Sequence, residues 1–134
     1  MEFVYFTNEI DQVLELIYDV FKIKGNKEQF DLKDNQKILL LKDKDIVVGM
    51  TMITLKSDPF KNTKTYYLDY ICIKEEYRHR SLGRKMFEKV IELAKENNID
   101  NIELTSNKER INARKMYLDY KMAIKDTDVF VLHL

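Results

Sequence analysis

The feature that most constrains the fold is a strand–helix–strand unit that the apolar pattern predicts between residues 65 and 105. Residues 65–73 are rich in tyrosine and isoleucine and predict a strand. Residues 82–97 carry apolar side chains at helical spacing opposite a charged face, and an Asn-Asn pair predicts where this helix ends. Residues 99–105 predict the next strand. Two strands joined by one helix are expected to lie parallel in one sheet, with a right-handed crossover.

The same criteria predict further elements on both sides of this unit. The additional predicted strands are residues 3–6, 37–42, 46–55, 121–124 and 129–134. A first helix is predicted after Asn8, a candidate cap, with Gly25 as its stop, and a short helix over residues 112–118, while residues 26–36 stay ambiguous. This alternation predicts an α/β (α+β) fold. We expect a mixed central β-sheet of six to seven strands flanked by three to four helices, in a single domain over residues 1–134.

Charge and cysteine content argue against several classes of protein. The chain carries 23 basic and 23 acidic residues, and this balance argues against nucleic-acid binding, which needs a basic excess. Its one cysteine, Cys72, cannot form an internal disulfide, which is compatible with a reducing compartment. No signal-like segment is visible, and no apolar run reaches the roughly 20 residues of a membrane span. We therefore expect a cytoplasmic protein without membrane association, and the sequence leaves a homodimer open.

A cluster of basic residues stands at the start of the predicted helix 82–97. Its members are Arg78, His79, Arg80, Arg84 and Lys85. The first turn of a helix has free N–H groups and a partial positive charge, so cations there are unfavourable unless an anion lies between them. Gly83 lets such a ligand approach the backbone, because no Cβ is in the way. The pattern indicates a phosphate site, with a solvated basic patch as the alternative.

Residues 78–83 also resemble the pyrophosphate-binding motif of the GNAT superfamily of N-acetyltransferases, Arg/Gln-x-x-Gly-x-Gly/Ala. Arg78 fills the first position and Gly83 the last. Ser81 stands where the first glycine is usual, so the loop must hold a non-glycine conformation there, and its hydroxyl could bind a phosphate or cap the helix. His79 stands where a second glycine is common.

Two neighbouring segments extend this resemblance. Residues 68–73 resemble the strand that leads into the pyrophosphate loop of the family, and residues 112–117 resemble the family's next motif, in which an asparagine and a tyrosine meet the coenzyme. Lys121 and Met122 depart from a frequent Gly-Phe pair after that motif. The likeness covers residues 46–122 by motif, and the order of predicted strands extends it to the rest of the chain.

The resemblance implies an acetyl-CoA site built from three segments. The implied coenzyme-binding residues are Ile71, Cys72, Ile73, Arg78, His79, Arg80, Ser81, Leu82, Gly83, Arg84, Asn112 and Tyr117. In this scheme residues 78–84 hold the pyrophosphate, and the backbone of residues 71–73 pairs with pantetheine. The N–H of Ile73 polarises the thioester carbonyl. Tyr117 matches the family tyrosine that acts as general acid toward the departing thiolate.

The general base is open between two strand carboxylates, Asp69 and Glu103, either of which could relay a proton through water. Both could instead be solvent-facing carboxylates, Tyr117 could pack the short helix, and Asn112 could cap it. Cys72 is expected to be a buried small hydrophobe rather than a nucleophile, because it has no clear partner base. No metal site is expected, because two histidines and one cysteine far apart in sequence form no credible ligand set.

The implied activity is transfer of an acetyl group from acetyl-CoA to a primary amine by direct attack in a ternary complex. The acceptor is a small molecule or a peptide or protein. Two other readings use the same residues. A non-catalytic acyl-CoA-binding module would keep the fold without turnover. A phosphate-binding or RNA-binding protein would use the basic loop, but zero net charge and the lack of a stacking-aromatic motif count against it.

Overall fold

The computed structural model describes residues 1–134, which form a five-stranded mixed sheet and three α-helices. The strands are β1 (Glu2–Tyr5), β2 (Gln36–Asp43), β3 (Ile46–Asp58), β4 (Thr63–Ile73) and β5 (Asn101–Leu104). The helices are α1 (Ile10–Phe21), α2 (Leu82–Glu96) and α3 (Ile111–Asp119), and Glu75–Tyr77 forms a 3₁₀ turn. The strands lie in the order β1-β2-β3-β4-β5. The first four are antiparallel neighbours, whereas β5 is parallel to β4, as the strand–helix–strand pattern predicts.

Two apolar layers cover the two faces of the sheet. The layer under α1 consists of Val13, Leu16, Ile17, Ile38, Leu40, Val47, Met50 and Cys72. The layer under α2 consists of Leu39, Ile53, Tyr66, Leu68, Phe87, Val90, Leu93, Ala94 and Tyr117. Because consecutive strand residues point to opposite faces, β2 contributes to both layers and buries residues 38–41 in an unbroken run.

A β-bulge interrupts β4 just before its last three residues. Met52 of β3 is paired with Asp69 and Met50 with Cys72, so two residues of β4, Tyr70 and Ile71, lie opposite one residue of β3. Tyr70 takes a left-handed backbone conformation with φ 54°. The pairing of β4 with β5 ends before the bulge, at Leu68 and Leu104, whereas β4 continues to Ile73. A cleft therefore opens beside residues 71–73, where β4 has no neighbouring strand on the β5 side.

The predicted count of six to seven strands exceeds the observed five by one or two, because residues 121–124 and 129–134 form no strand. The chain turns at Lys121 and donates from Met122 to the Tyr117 carbonyl, and residues 123–134 then make no backbone hydrogen bond. A strand needs a partner, and β5 pairs only with β4, so its outer edge remains unpaired. Apolar composition alone predicted these two strands, and it does not supply the pairing.

The helix boundaries also differ from the predicted ones. Residues 26–36 contain no helix, which leaves three α-helices. Asn8 does not cap α1; the Glu9 carboxylate instead accepts from the N–H groups of Thr7 and Asn8. The helix ends at Phe21, before Gly25, because Lys22 adopts a left-handed conformation and donates its N–H to the Tyr18 carbonyl. None of the helices has the length and apolar character needed to cross a bilayer.

Candidate active site

The floor of the cleft is the backbone of residues 71–73. Lys74 donates its N–H to the Val48 carbonyl of β3 at 2.7 Å. Because backbone groups alternate in direction along a strand, the N–H and C=O groups of Ile71 and Ile73 point away from β3, into the cleft. The Ile73 carbonyl accepts a hydrogen bond from Nε of Arg78 at 3.0 Å. The Ile71 and Ile73 amides donate to no strand on that side and are free to bind a ligand.

A row of free backbone donors lies at the start of α2. None of the amides of residues 79–84 donates a hydrogen bond within the chain; Lys85, which donates to the Ser81 carbonyl, is the first that does. His79 and Ser81 both have left-handed backbones, with φ 63° and 60°. Alternating left-handed residues turn successive N–H groups toward one concave surface, and the helix adds its partial positive charge. We call residues 79–84 the amide loop; it has the geometry of an anion site.

The arginine side chains around the amide loop form hydrogen bonds and an ion pair with other groups of the same chain. Besides Arg78, Arg80 donates to the Glu76 carbonyl at 3.2 Å and lies 4.9 Å from the Tyr77 ring centroid. Arg84 forms a 2.7 Å ion pair with Asp119, at the end of α3. These contacts brace the loop between β4 and α3. Arg80 and Arg84 are therefore engaged by other groups of the chain, whereas the backbone amides of the loop remain free.

Gly83 leaves open space in the first turn of α2. A Cβ placed there would have no other atom within 4 Å, and its backbone is not left-handed. Gly49 of β3 differs, because a Cβ on it would lie 2.7 Å from Cδ1 of Ile73. The structure therefore requires glycine at position 49 for packing, whereas at position 83 no group of the chain requires it. A ligand lying on the helix start would account for glycine at position 83.

Tyr117 of α3 packs in the apolar layer under α2. Its ring is buried and meets Phe87 edge-on, with centroids 5.5 Å apart. The hydroxyl has no hydrogen-bond partner in the chain, yet it is not sealed from solvent, since no fully buried side-chain oxygen lacks a partner. Burial raises the pKa of this phenol, so it stays protonated at neutral pH. The arrangement combines a packing ring with a free proton donor.

Arg110 is a residue that sequence reasoning did not single out. It is the exposed residue that precedes α3, and its positive charge partly offsets the rise in pKa that burial causes at both Tyr117 and Cys72. The signal that could have found it is the one used at residues 78–85, a cation at the start of a helix. Asn112, in the first turn of α3, is exposed and makes no capping hydrogen bond.

The two candidate bases have different environments. Asp69 immediately precedes the bulge, is partly buried, and its carboxylate has no hydrogen bond or ion pair; burial raises its pKa, and Lys56 offsets part of the rise. Strand alternation directs its side chain to the α1 face, opposite Leu68. Glu103 is paired with Lys125 at 3.4 Å and is about half exposed. Of the two, Asp69 is the free carboxylate beside the cleft.

Cys72 lies on the cleft strand but points into the layer under α1. Burial raises the pKa of its thiol to about 12. At neutral pH almost none of it is thiolate, the nucleophilic form. No group of three or more His, Cys, Asp or Glu side chains is placed to hold a metal ion.

Comparison with known proteins agrees with this geometry. Residues 7–120 match the model of the acetyltransferase (GNAT) family. No curated protein matches the chain in sequence. Three similar solved structures are an aminoglycoside acetyltransferase from an uncultured soil metagenomic sample, a ribosomal-protein-alanine N-acetyltransferase from Brucella melitensis biovar Abortus 2308 and a transcriptional regulator from Bacillus halodurans C-125.

These three structures share the fold across almost the whole chain. The aminoglycoside enzyme has a TM-score of 0.83 at 12% identity, covering 99% of this chain and 95% of that one. The ribosomal-protein enzyme has 0.83 at 13% identity, covering 100% of each chain. The transcriptional regulator has 0.84 at 16% identity, covering 99% of each. At such low identities the likeness establishes the fold alone.

Proposed function

Because the chain belongs to the acetyltransferase (GNAT) family, we propose that it transfers the acetyl group of acetyl-CoA to a primary amine by direct attack in a ternary complex. The observation that carries the proposal is the amide loop, whose free N–H groups at the start of α2 suit the diphosphate of the coenzyme. The exposed Ile71 and Ile73 backbone then pairs with pantetheine. Together these groups bring the thioester to the cleft beside the bulge.

In the proposed reaction the amine nitrogen attacks the thioester carbonyl carbon. The N–H of Ile73 donates to the carbonyl oxygen as negative charge develops on it. The C–N bond forms and the C–S bond breaks, so the acetamide and the coenzyme thiolate leave together. The nitrogen loses one proton and the sulfur gains one. No acetyl-cysteine forms, because the Cys72 thiol, with a pKa of about 12, is protonated and buried.

Two groups on opposite sides of the cleft would move these protons. We assign the base to Asp69, because it is unpaired, partly buried and of raised pKa, whereas Glu103 is bound to Lys125. We assign the acid to Tyr117, because its hydroxyl is free and its raised pKa keeps it protonated. The base lies on the α1 face and the acid on the α2 face. The amine therefore enters from the α1 side.

A second candidate function is acyl-CoA binding without turnover. The similarity to a protein named as a transcriptional regulator favours keeping it, because that protein has the same fold. This module would use the amide loop but would need neither Asp69 nor Tyr117. The two functions therefore differ in turnover and not in coenzyme affinity.

The test of the proposed function is release of free thiol from acetyl-CoA in the presence of amines. The panel includes a polyamine, an aminoglycoside and a peptide with a free N-terminus, and mass spectrometry identifies the acetylated product. Tyr117→Phe should lower kcat about 100-fold with little change in coenzyme affinity, because the hydroxyl acts only as the thiolate leaves. Coenzyme binding without thiol release from any amine would replace the enzyme with the binding module.

Tyr120→Phe is the matched control for this variant. Its ring also meets Phe87 edge-on, at 5.2 Å, but its hydroxyl is already bound to Glu88. We expect its kcat within about threefold of wild type, since no proton-transfer role is assigned to it. If both variants lose activity equally, the loss is not specific to the Tyr117 hydroxyl, and Tyr117 is not the acid.

The base assignment predicts a specific pH dependence. Asp69 acts when deprotonated, so kcat/KM should fall as the pH is lowered through its raised pKa, and Asp69→Asn should remove this acidic limb and lower kcat/KM about 100-fold. Stability should move the other way. The folded state holds the Asp69 proton more tightly than the unfolded state, so this carboxyl destabilises the protein as pH rises above its usual value of 3.8.

Asp69→Asn should therefore have a higher melting temperature than wild type at pH 7, and the gain should vanish below pH 3.8. Glu103→Gln is the control. It should keep the acidic limb, because its partner Lys125 already occupies that carboxylate. Retention of the limb in Asp69→Asn, with its loss in Glu103→Gln, would reverse the assignment.

A further inference from the structure

A cavity lies at the end of the molecule opposite the amide loop, on the α2 face of the sheet. It holds about 210 Å³ between the end of α2, the start of β2 and the first residues of β4. That volume is room for roughly seven water molecules at about 30 Å³ each. Tyr66, which lines the cavity, lies near the start of β4, whereas residues 71–73 form its end. At about 3.3 Å per residue the cavity is roughly 20 Å from the cleft, and it shares no residue with the proposed acetyl-CoA site.

Tyr66 presents to this cavity a hydroxyl that has no partner in the chain. The residue is 9% exposed, and its ring packs in the layer under α2. No fully buried side-chain oxygen lacks a partner, so the unpaired hydroxyl lies at the open end of the side chain, in the cavity wall. Burial raises the pKa of this phenol, and it therefore stays a donor at neutral pH. The ring alone would fill the core, so a ligand in the cavity would account for the hydroxyl.

Charged side chains of both signs stand unpaired around the cavity. Lys37 and Lys64 form no ion pair, and the Asp34 carboxylate has neither an ion pair nor a hydrogen bond. Nζ of Lys37 lies 4.9 Å from the ring centroid of Tyr5, whose hydroxyl is a second free donor in the wall. Ammonium groups and phenols donate to a carboxylate, whereas an aspartate accepts from an ammonium group. A ligand that used all of these groups would itself carry one anionic and one cationic group.

An apolar floor and the end of α2 complete the cavity. Ile53, Leu55 and Ile99 present alkyl surface to it. Asn97, the residue that ends α2, donates from Nδ2 to the Leu93 carbonyl at 2.7 Å, which leaves its amide oxygen free as an acceptor. The end of a helix carries a partial negative charge, which favours a cation beside it. The cavity therefore offers an apolar surface between a donor-rich side and an acceptor-rich side.

We propose that this cavity binds a free α-amino acid with an apolar side chain. The carboxylate would accept from the hydroxyls of Tyr66 and Tyr5 and lie beside the two lysines. The ammonium group would donate to Asp34 at the negative end of α2, and the side chain would cover the apolar floor. A plain carboxylic acid would meet Asp34 as a like charge, and a plain amine would meet the two lysines in the same way. The proposal depends neither on acetyl-CoA binding nor on turnover.

The test is a nuclear magnetic resonance titration of the full chain with L-leucine, read from the backbone amide signals. Signals of residues 34–37, 64–66 and 97–99 should shift together, with those of residues 71–84 unchanged. L-Leucinamide lacks the carboxylate and 4-methylpentanoate lacks the ammonium group, so each should bind at least tenfold more weakly. Shifts confined to residues 71–84, or an affinity of either analogue equal to that of leucine, would overturn the proposal.

Tyr66→Phe removes the hydroxyl and keeps the ring. It should weaken leucine binding about tenfold without lowering the melting temperature of the free protein, because the hydroxyl has no partner in the chain to lose. Tyr67→Phe is the matched control. Tyr67 is the next residue of β4, points to the opposite face and contacts Thr105 through its hydroxyl, so this variant should bind leucine as wild type does. An equal loss of affinity in both variants would contradict the proposal.

Asp34→Asn tests the ammonium contact at an exposed residue, where the substitution should leave the fold intact. It should weaken binding of leucine and strengthen binding of 4-methylpentanoate, because the repulsion between like charges is removed. The proposal fails if leucine shifts no amide signal of the wild-type chain. It fails equally if either Tyr66→Phe or Asp34→Asn binds leucine as tightly as wild type does.

Discussion

The amide loop of residues 79–84 and the terminal segment of residues 123–134 both present groups without partners in the chain, but of opposite kinds. The loop presents backbone N–H donors at the positive end of a helix, whereas the segment presents apolar side chains. Free donors at a helix start are satisfied by an anion, and exposed apolar side chains only by another apolar surface. One fold therefore points to a small anionic ligand at one place and to a protein surface at another.

The two regions also differ in how firmly they are held. Contacts to the Ile73 carbonyl and to Asp119 fix the loop through Arg78 and Arg84, and two left-handed residues set its shape. The terminal segment is joined to the rest of the chain by the exposed ion pair of Lys125 with Glu103 and makes no backbone hydrogen bond. Binding to a preorganised loop loses little conformational entropy, whereas binding of a free segment loses the entropy of the chain that becomes ordered. We therefore expect coenzyme binding at the loop to carry little cost of ordering the chain.

The variant with the largest expected effect removes the function of the loop and leaves the segment intact. Gly83→Asp introduces a carboxylate where the diphosphate is expected, and like charges in contact cost several kcal/mol, which corresponds to about a 1,000-fold loss of affinity for acetyl-CoA. The free protein should become more stable. An aspartate at a helix start interacts favourably with the helix dipole, and its Cβ would contact no other group. Calorimetric titration and thermal melting measure the two effects.

One control distinguishes the effect of the added charge from that of the added volume. A second control tests whether the amide loop and the terminal segment are independent. Gly83→Asn adds nearly the same volume without the charge, so its affinity should fall less than that of Gly83→Asp. Phe130→Asp, in the terminal segment, should bind acetyl-CoA as wild type does. If Gly83→Asp keeps full affinity, the coenzyme does not lie on the amide loop. If Phe130→Asp also lowers the affinity, the two regions are not independent.

The sequence predicts those features that depend on interactions between residues close together in the chain. The parallel unit of β4, α2 and β5 depends on local periodicity and is confirmed. The cations at the start of α2 directed attention to the amide loop, and its use as an anion site stays a prediction. The sequence indicates that a helix start has free amides, but which amides lack partners is visible only once the hydrogen bonds are known. Arg110 carries the same signal and was missed, since the start of α3 was predicted one residue too late.

The remaining differences depend on interactions between distant segments. The bulge at Tyr70 carries no glycine or proline signal, and it follows from the register between β3 and β4. The last two predicted strands have the correct composition, but the available edge of β5 is only four residues long and residues 123–134 make no backbone hydrogen bond to it. Periodicity identifies a segment that can form a strand; the partner must come from elsewhere in the fold or from another molecule.

The smallest expected effect comes from Ser81→Gly, which distinguishes the backbone of the loop from its side chains. Ser81 holds a left-handed conformation that costs a non-glycine residue about 1 kcal/mol, and its hydroxyl makes no capping hydrogen bond. Glycine relieves the strain without losing a contact, so the melting temperature should rise by about 2–5 °C. Coenzyme affinity should stay within about twofold, because the N–H groups are retained. If the hydroxyl itself bound the phosphate, affinity should fall about tenfold or more.

Lys44→Gly is the matched control for this last variant. Lys44 has φ 55° in the turn between β2 and β3, away from the amide loop, so glycine there should raise the melting temperature by relief of strain alone. A similar gain in both variants with unchanged affinity assigns the anion site to the backbone. A tenfold loss confined to Ser81→Gly assigns it to the hydroxyl. In that case Ser81, which stands at a glycine position of the family motif, binds the phosphate through its side chain. The loop would then bind its ligand through a hydroxyl rather than through its free amides.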